Sequence, residues 1–131
     1  MKKRITFAAV LVCIFGLAGC SSEKAFGIAN ASKIELCSGS DGTTVEITNE
    51  EDIQYITDNI NDLKFSRGKS SKDHSGWSYR LKWYDSENNL IEELIVMSEY
   101  QIDYKDYFYT SIDTDHEIDI SFLEDTLKGV L

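Results

Sequence analysis

Trp77-Ser78-Tyr79-Arg80-Leu81-Lys82-Trp83-Tyr84 is the clearest strand pattern in the chain. Aromatic or apolar side chains occupy every second position, and mostly polar ones lie between them. Successive side chains of a strand point to opposite faces of a sheet, so this alternation predicts a strand with one buried face. Three further strands are predicted at 90–97, 100–104 and 107–112, separated by turns. The Glu92-Glu93 pair interrupts the alternation and indicates a bulge or a sheet edge.

The region before this strand combines a hairpin, a helix and a polar segment. Ile34 to Ile47 alternates on both sides of a Gly- and Ser-rich turn, which predicts a hairpin. A capping-box spacing then precedes apolar residues at helical intervals, which predicts a helix over about 49–63. Residues 66–76 are polar and predict a loop. A second capping-box spacing at Ser121 predicts a short C-terminal helix.

These elements together predict an α+β domain. Their order is ββαββββα, and successive hairpins imply an antiparallel sheet. We expect the helices to pack on one face of that sheet, in two layers, with the other face open to water.

The N-terminal segment has the order of an export signal: a basic start, an apolar run from Ile5 to Ala18, and then Leu17-Ala18-Gly19-Cys20. The apolar run, about 14 residues, is shorter than the roughly 20 that span a bilayer. The four-residue motif resembles the lipobox of bacterial lipoproteins. That resemblance implies a signal peptide at 1–19, cleavage between Gly19 and Cys20, and a diacylglyceryl group on the Cys20 sulfur. It also implies anchoring at the extracytoplasmic face of the cell membrane.

Residues 20–32, small and mostly polar, are interpreted as the lipidated cysteine and a tether, followed by one domain at 33–131. Such a tether reaches at most about 40 Å. The mature region also resembles small uncharacterised lipoproteins of Gram-positive bacteria, through Gly76-Trp77-x-Tyr79-x-Leu81 followed by Tyr84-Asp85. This second resemblance implies membership of a class and no activity.

The charge balance limits the possible partners. The chain has 13 basic and 23 acidic residues. The signal would remove three of the bases, which leaves a net charge of −13. Such an excess argues against nucleic acid, because phosphates would be repelled. Cys37 would be the one cysteine without a lipid, so no disulfide can form within the mature chain.

Two groups of residues are candidates for binding. One is a local basic segment, which could face anionic lipid or a wall polymer; its alternative is a solvated surface where bases offset nearby acids. The other is a set of tyrosines, which suit protein or glycan contacts as well as core packing. Trp77, Tyr79 and Trp83 are interpreted as core. The basic residues are Arg67, Lys69, Lys72, Arg80 and Lys82, and the tyrosines are Tyr84, Tyr107 and Tyr109.

An acidic segment near the C terminus has the spacing of a calcium loop. Its carboxylates are Asp113, Asp115, Glu117, Asp119 and Glu124. Alternating oxygens at this spacing wrap one hard cation, but Ile118 occupies the position where the turn of such a loop requires glycine. The alternative is an acidic connection that ends in a helix N-cap, where negative charge is favourable.

The sequence contains no G-x-S-x-G, H-E-x-x-H or C-x-x-C motif and no complete P-loop, and its two histidines, His74 and His116, lie in polar segments. We therefore expect a non-catalytic binding module of the cell envelope, without a cofactor. Its expected partners are the bilayer, through Cys20, and an envelope protein or wall polymer. The alternative is an acidic inhibitor or immunity-type module against a cationic envelope hydrolase or toxin, and an enzyme is the third hypothesis.

Overall fold

The computed structural model describes residues 23–113 and 115–129. The predicted signal peptide at 1–19 and its lipidation residue Cys20 lie outside these residues. The described residues form eight strands and two helices. In chain order these are β1 (Glu23–Ala25), β2 (Lys33–Ser38), β3 (Thr44–Ile47), α1 (Glu50–Asn61), β4 (Lys64–Ser70), β5 (Tyr79–Tyr84), β6 (Leu90–Ser98), β7 (Gln101–Tyr104), β8 (Tyr107–Ser111) and α2 (Ile120–Lys128).

All eight strands belong to one sheet in the order β1-β4-β8-β7-β6-β5-β2-β3, and every neighbouring pair is antiparallel. The predicted α+β class with an antiparallel sheet is therefore confirmed. The predicted order lacks β1 and β4, which pair with each other and join the sheet through β8.

Most of the predicted tether and part of the predicted loop belong to strands or to the core of the domain. Residues 23–25 form an edge strand, and Phe26 and Ile28 are buried in the core, so most of the predicted 20–32 tether belongs to the domain. The Asn61 side chain fixes this segment to α1, because it accepts from the Ile28 N–H (3.0 Å) and donates to the Ile28 carbonyl (2.9 Å). Half of the predicted 66–76 loop is likewise the end of β4.

The sheet has a core face and an opposite face. On the core face, Leu36, Leu81 and Leu94 lie side by side on β2, β5 and β6 and are buried. Buried side chains of both helices pack into the same core, among them Ile56, Ile60 and Leu123. The Trp83 indole N–H donates to Thr57 of α1 (3.0 Å), so this hydrogen bond joins β5 directly to α1.

The helices begin close to where the sequence places them. Asn49 caps α1 by accepting from the Asp52 N–H (3.0 Å). The cap of α2 is Asp119, which accepts from the Phe122 N–H (3.1 Å); the expected cap, Ser121, is the second residue of this helix. At the other end of α2, Gly129 has a φ of 72°, the left-handed conformation that commonly ends a helix.

Two details of β5 and β6 differ from the prediction. Trp77 precedes β5 and is half-buried, and its ring lies 4.5 Å from the guanidinium of Arg80, which belongs to the opposite face. Trp77 is therefore not part of the buried core, whereas Trp83 is fully buried and Tyr79 packs against the core. The predicted irregularity in β6 is a bulge: Trp83 pairs with Glu92 and Tyr84 with Leu90, so Ile91 is the extra residue.

Candidate functional site

The opposite face carries charged residues that offset one another. Arg80 lies 3.7 Å from Glu93, and Lys82 lies 4.0 Å from Glu35. Tyr84 is half-buried, with the Lys33 ammonium 4.7 Å above its ring. Partly exposed pairs of this kind contribute only about 0–1 kcal/mol each. Arg80, Lys82 and Tyr84 thus lie on a surface where basic and acidic side chains offset one another. This agrees with the alternative interpretation of the basic segment as a solvated surface.

A groove lies beside the first half of β6. It arises because β6 has nine residues and β7 has four, and the pairing between them begins only at Ile95, opposite Asp103. Residues 90–94 pair with β5 on one side, and within the described chain no strand lies along their other edge. We call this space, about 440 Å³, the β6 groove. It is lined by Leu90, Ile91, Glu92, Glu93, Leu94, Ile95, Asp103, Lys105 and Asp106.

One backbone N–H of β6 at this groove is satisfied by a side chain. Residues of a strand alternate in the edge to which they direct their N–H groups. The Glu93 N–H donates to Glu92 Oε2 (3.1 Å), and the other oxygen of Glu92 accepts from the Tyr104 hydroxyl (3.1 Å). Burial, together with this hydrogen bond to Glu92, raises the pKa of Tyr104 to about 12. Glu92 therefore bridges β6 and β7 where the backbone ladder has ended.

The walls of the β6 groove are acidic and partly apolar. Four of the lining residues are acidic and one, Lys105, is basic. Leu90 is 52% exposed, while Ile91 and Ile95 are half-buried. The far wall is the turn between β7 and β8, where Lys105 and Asp106 have φ values of 49° and 73°. Such a two-residue left-handed turn matches the twist of a hairpin and holds the wall in place.

A second cluster gathers tyrosines and basic residues on the core face, where β4 and β7 end and β8 begins. The Arg67 guanidinium lies 4.8 Å from the ring of Tyr107, which is 38% exposed. Lys24 and Lys105 lie 5.1 and 5.2 Å from the ring of Tyr104. We call these five residues the tyrosine–cation cluster. Cations over ring faces are attracted by about 0.5–1 kcal/mol at exposed sites, so the rings hold these charges in position.

The remaining predicted binding residues lie in different parts of the structure. Tyr109 is half-buried and packs edge-to-face with Tyr104, with ring centroids 6.1 Å apart, so it serves the core more than the surface. Lys69, in β4, and Lys72, just after it, are exposed. Arg67 pairs in register with Tyr109, and so with the core face, whereas Arg80 lies on the opposite face. The predicted basic segment is consequently not one surface.

The carboxylates of the acidic segment do not converge. Asp113 accepts from the Asp115 N–H (2.9 Å) and contacts His116 Nδ1 (3.0 Å), and the Asp115 N–H and then His116 lower its pKa. Glu117 accepts from the Tyr100 hydroxyl (3.0 Å). Asp119 caps α2, and Glu124 lies in that helix. Among the described residues no group of three or more potential ligands could hold a metal ion.

The histidines and the free cysteine lie in separate places. His74 packs edge-to-face with Phe108, which is buried on the opposite face (ring centroids 5.1 Å apart). The loop is fixed there by the Ser71 hydroxyl, which donates to Asp103 (2.5 Å). Cys37 is half-buried, with its sulfur 3.7 Å from the Ser38 carbonyl oxygen.

Several residues of the β6 groove and of the tyrosine–cation cluster could not be identified from the sequence. Asp103 and Asp106 look like ordinary polar positions of a hairpin, and Lys24 lies in the segment predicted as a tether. The groove depends on the unequal lengths of two neighbouring strands, which no local pattern reveals.

Comparison with family models, with curated proteins and with solved structures found no match. Within the described residues, neither helix has the length and apolar composition that crossing a bilayer requires.

Proposed function

We propose that this protein is a lipid-anchored, non-catalytic binding module of the cell envelope. In this proposal Cys20 carries the anchor at the extracytoplasmic face of the membrane. The domain has two layers, with both helices on the core face of the sheet. The lipobox resemblance of Leu17-Ala18-Gly19-Cys20 supports the anchor, and the shared core of α1, α2 and the sheet supports the layers.

The observation that carries the binding role is the open edge of β6. Within the described residues, 90–94 have a neighbouring strand on one side only, and the β6 groove provides space beside them. An added strand would displace the Glu92 carboxylate from the Glu93 N–H and take over that hydrogen bond. An extended segment of another protein can add to such an edge as a further strand, with main-chain hydrogen bonds for affinity and alternate side chains for specificity. Five residues of β6 span about 16 Å, which is enough for a short added strand.

Charge identifies the kind of segment that fits. The groove has four carboxylates against one ammonium, and one of the four, Glu93, also lies 3.7 Å from Arg80. Exposed Leu90 and half-buried Ile91 offer contacts for aliphatic side chains. A segment in which basic and aliphatic residues alternate would match both features. The acidic lining of the groove favours the acidic inhibitor or immunity-type alternative, in which the module captures a cationic envelope hydrolase or toxin, over a general scaffold.

A peptide experiment tests the binding role. The full chain in detergent micelles is titrated with a nine-residue peptide of alternating Lys and Val, capped at both ends, and binding is followed by calorimetry. We expect binding that weakens as salt is added, because exposed charges are screened. The same peptide with methylated amide nitrogens keeps its charge but cannot pair with a strand edge, and we expect it not to bind.

A pair of charge variants provides the matched control. Glu93→Gln with Asp106→Asn removes two charges from the groove, whereas Glu51→Gln with Glu99→Gln removes two exposed charges elsewhere. We expect about fivefold weaker binding for the first pair, from roughly 0.5 kcal/mol per lost charge contact, and no change for the second. Equal binding of the methylated peptide, or equal effects of the two pairs, would refute strand addition at β6.

The anchor is tested separately, in cells that export the chain. The wild-type chain should incorporate labelled fatty acid and sediment with membranes, and Cys20→Ala should do neither. Cys37→Ala is the matched control and should retain both properties. A Cys20→Ala chain that still carries the label would contradict the proposal.

A further inference from the structure

The turn between β7 and β8 closes one end of the β6 groove. β7 ends at Tyr104, and the next two residues, Lys105 and Asp106, form the turn and line the groove. Because β7 is the neighbour of β6, a strand added beside residues 90–94 would lie in the line of β7, beyond this turn. The turn therefore blocks one end of such a strand, whereas Leu90, at the other end of the groove, is 52% exposed.

The direction of the added strand decides which of its termini meets the turn. Every neighbouring pair in the sheet is antiparallel, and antiparallel pairing is the more stable kind. A strand antiparallel to β6 runs in the same direction as β7, which runs toward the turn. The added strand therefore starts at the turn and runs toward Leu90, so its N terminus faces the turn.

The charges at this end of the groove suit a positively charged terminus. Four of the nine lining residues are acidic and one is basic. Within residues 23–113 and 115–129, no group forms an ion pair or a hydrogen bond with the Asp106 carboxylate. The ammonium of the one basic residue, Lys105, lies 5.2 Å from the ring of Tyr104. An ammonium group at the turn thus has a free carboxylate beside it.

Glu92 provides a second partner for such a terminus. Its Oε2 accepts from the Glu93 N–H (3.1 Å), and its Oε1 accepts from the Tyr104 hydroxyl (3.1 Å). When a carbonyl of the added strand takes over the Glu93 N–H, Oε2 loses its donor in a half-buried position, which is unfavourable. An ammonium group carries three N–H donors and can replace the lost one, whereas a blocked N terminus brings no charge.

We propose that the β6 groove receives the free N terminus of its partner. An extended segment adds to β6 in the antiparallel direction, its first residue lies beside the β7–β8 turn, and its α-ammonium group binds the carboxylates of Glu92 and Asp106. The inference rests on the proposed strand addition at β6. It narrows the partner from any extended cationic segment to a protein whose chain starts with an extended, unblocked N terminus.

Three peptides test which terminus the groove receives. All are nine residues of alternating Lys and Val: one is capped at both ends, one has a free α-amine and an amidated C terminus, and one has an acetylated N terminus and a free carboxylate. Each is titrated by calorimetry into the full chain in detergent micelles. We expect the free-amine peptide to bind about fivefold tighter than the capped one, the upper end for one partly exposed charge contact. The free-carboxylate peptide should bind no tighter than the capped one.

The pH dependence distinguishes the α-amine from the lysine side chains. The pKa of an α-amine is about 7.7–8.0, and that of lysine is about 10.4. The fivefold advantage at about pH 6.5 should therefore fall below about 1.5-fold at about pH 9.5, where the peptide lysines stay charged. The charged groups that face the terminus act on both peptides, so the ratio of the two affinities isolates the α-amine. These groups are Glu92 and Glu93 of β6, Asp103 of β7, and Lys105 and Asp106 of the turn.

Charge variants test the two carboxylates. Glu92→Gln and Asp106→Asn should each reduce the advantage of the free-amine peptide to about twofold or less, and Glu99→Gln, at an exposed position of the β6–β7 turn, is the matched control that should leave it unchanged. Equal affinity of the free-amine and capped peptides, tightest binding of the free-carboxylate peptide, or an advantage that survives both substitutions together would overturn this inference and leave strand addition intact. Failure of all three peptides to bind would overturn both proposals.

Discussion

Thr57→Val should destabilise the domain by removing one buried hydrogen bond. The Trp83 indole N–H donates to the Thr57 hydroxyl oxygen at 3.0 Å. Trp83 has 0% of its surface exposed and Thr57 has 6%, so water cannot replace the lost acceptor. Valine has nearly the shape of threonine, and the change therefore leaves the packing in place and the indole N–H unsatisfied.

The expected cost is the desolvation penalty of one buried donor, about 1–3 kcal/mol. Urea unfolding followed by tryptophan fluorescence measures it, and the slope of the transition should stay unchanged. Trp83→Phe supplies the control, because it removes the donor. In the Trp83→Phe background, Thr57→Val should cost less than about 0.5 kcal/mol, since no donor is then left unsatisfied.

A cost of Thr57→Val that is the same in both backgrounds would refute this reasoning. It would mean that the two residues do not interact across the interface between α1 and β5.

Three further predictions follow from the core, the caps and the ionisable groups. Phe26→Ala should cost about 3–5 kcal/mol in urea unfolding, because Phe26 is buried, whereas a residue of a free tether would cost almost nothing. Asp119→Ala should cost about 1 kcal/mol by loss of the α2 cap, and Ser121→Ala should have little effect; a reversed order would contradict the observed cap. Tyr104 should titrate near pH 12 by ultraviolet absorbance, and Glu92→Gln should lower that value. Since the pKa of Tyr104 is raised on folding, its stabilising contribution should be complete below about pH 10 and lost as the pH rises toward 12. The chain has seven tyrosines, so Tyr104 is followed as the absorbance difference between the wild type and Tyr104→Phe, and a difference that titrates near pH 10 would contradict this.

The strands that could be predicted from the sequence are those with one buried face. In β2 and β5 every second residue is apolar because each of these strands contributes one face to the core, and the pattern survives in the sequence. The helices follow from caps and apolar spacing in the same way. The residue at which α2 starts does not follow from the sequence, because Asp119 and Ser121 both suit an N-cap. The structure shows that Asp119 is the cap.

The missed strands have a different physical basis. β4 has the sequence KFSRGKS, in which Phe65 is the one large apolar residue. It is a strand because β1 and β8 satisfy its backbone on both sides, a tertiary effect that overrides its polar composition. β1 is only three residues long, too short for any alternation to be recognised.

Missing β4 also explains why the predicted basic segment is not one surface. Arg67 and Arg80 are close in sequence, but three strands separate β4 from β5 in the sheet, and the two side chains belong to opposite faces. Arg80 is balanced by Glu93, whereas Arg67 stands over Tyr107 with no ion pair to a carboxylate of the described residues. Lys24 of β1, Arg67 of β4 and Lys105 of the β7–β8 turn are distant in sequence, and the pairing of β1 with β4 and of β4 with β8 brings them to the same region. The strand that was mistaken for a tether is thus the element that brings Lys24 beside Tyr104.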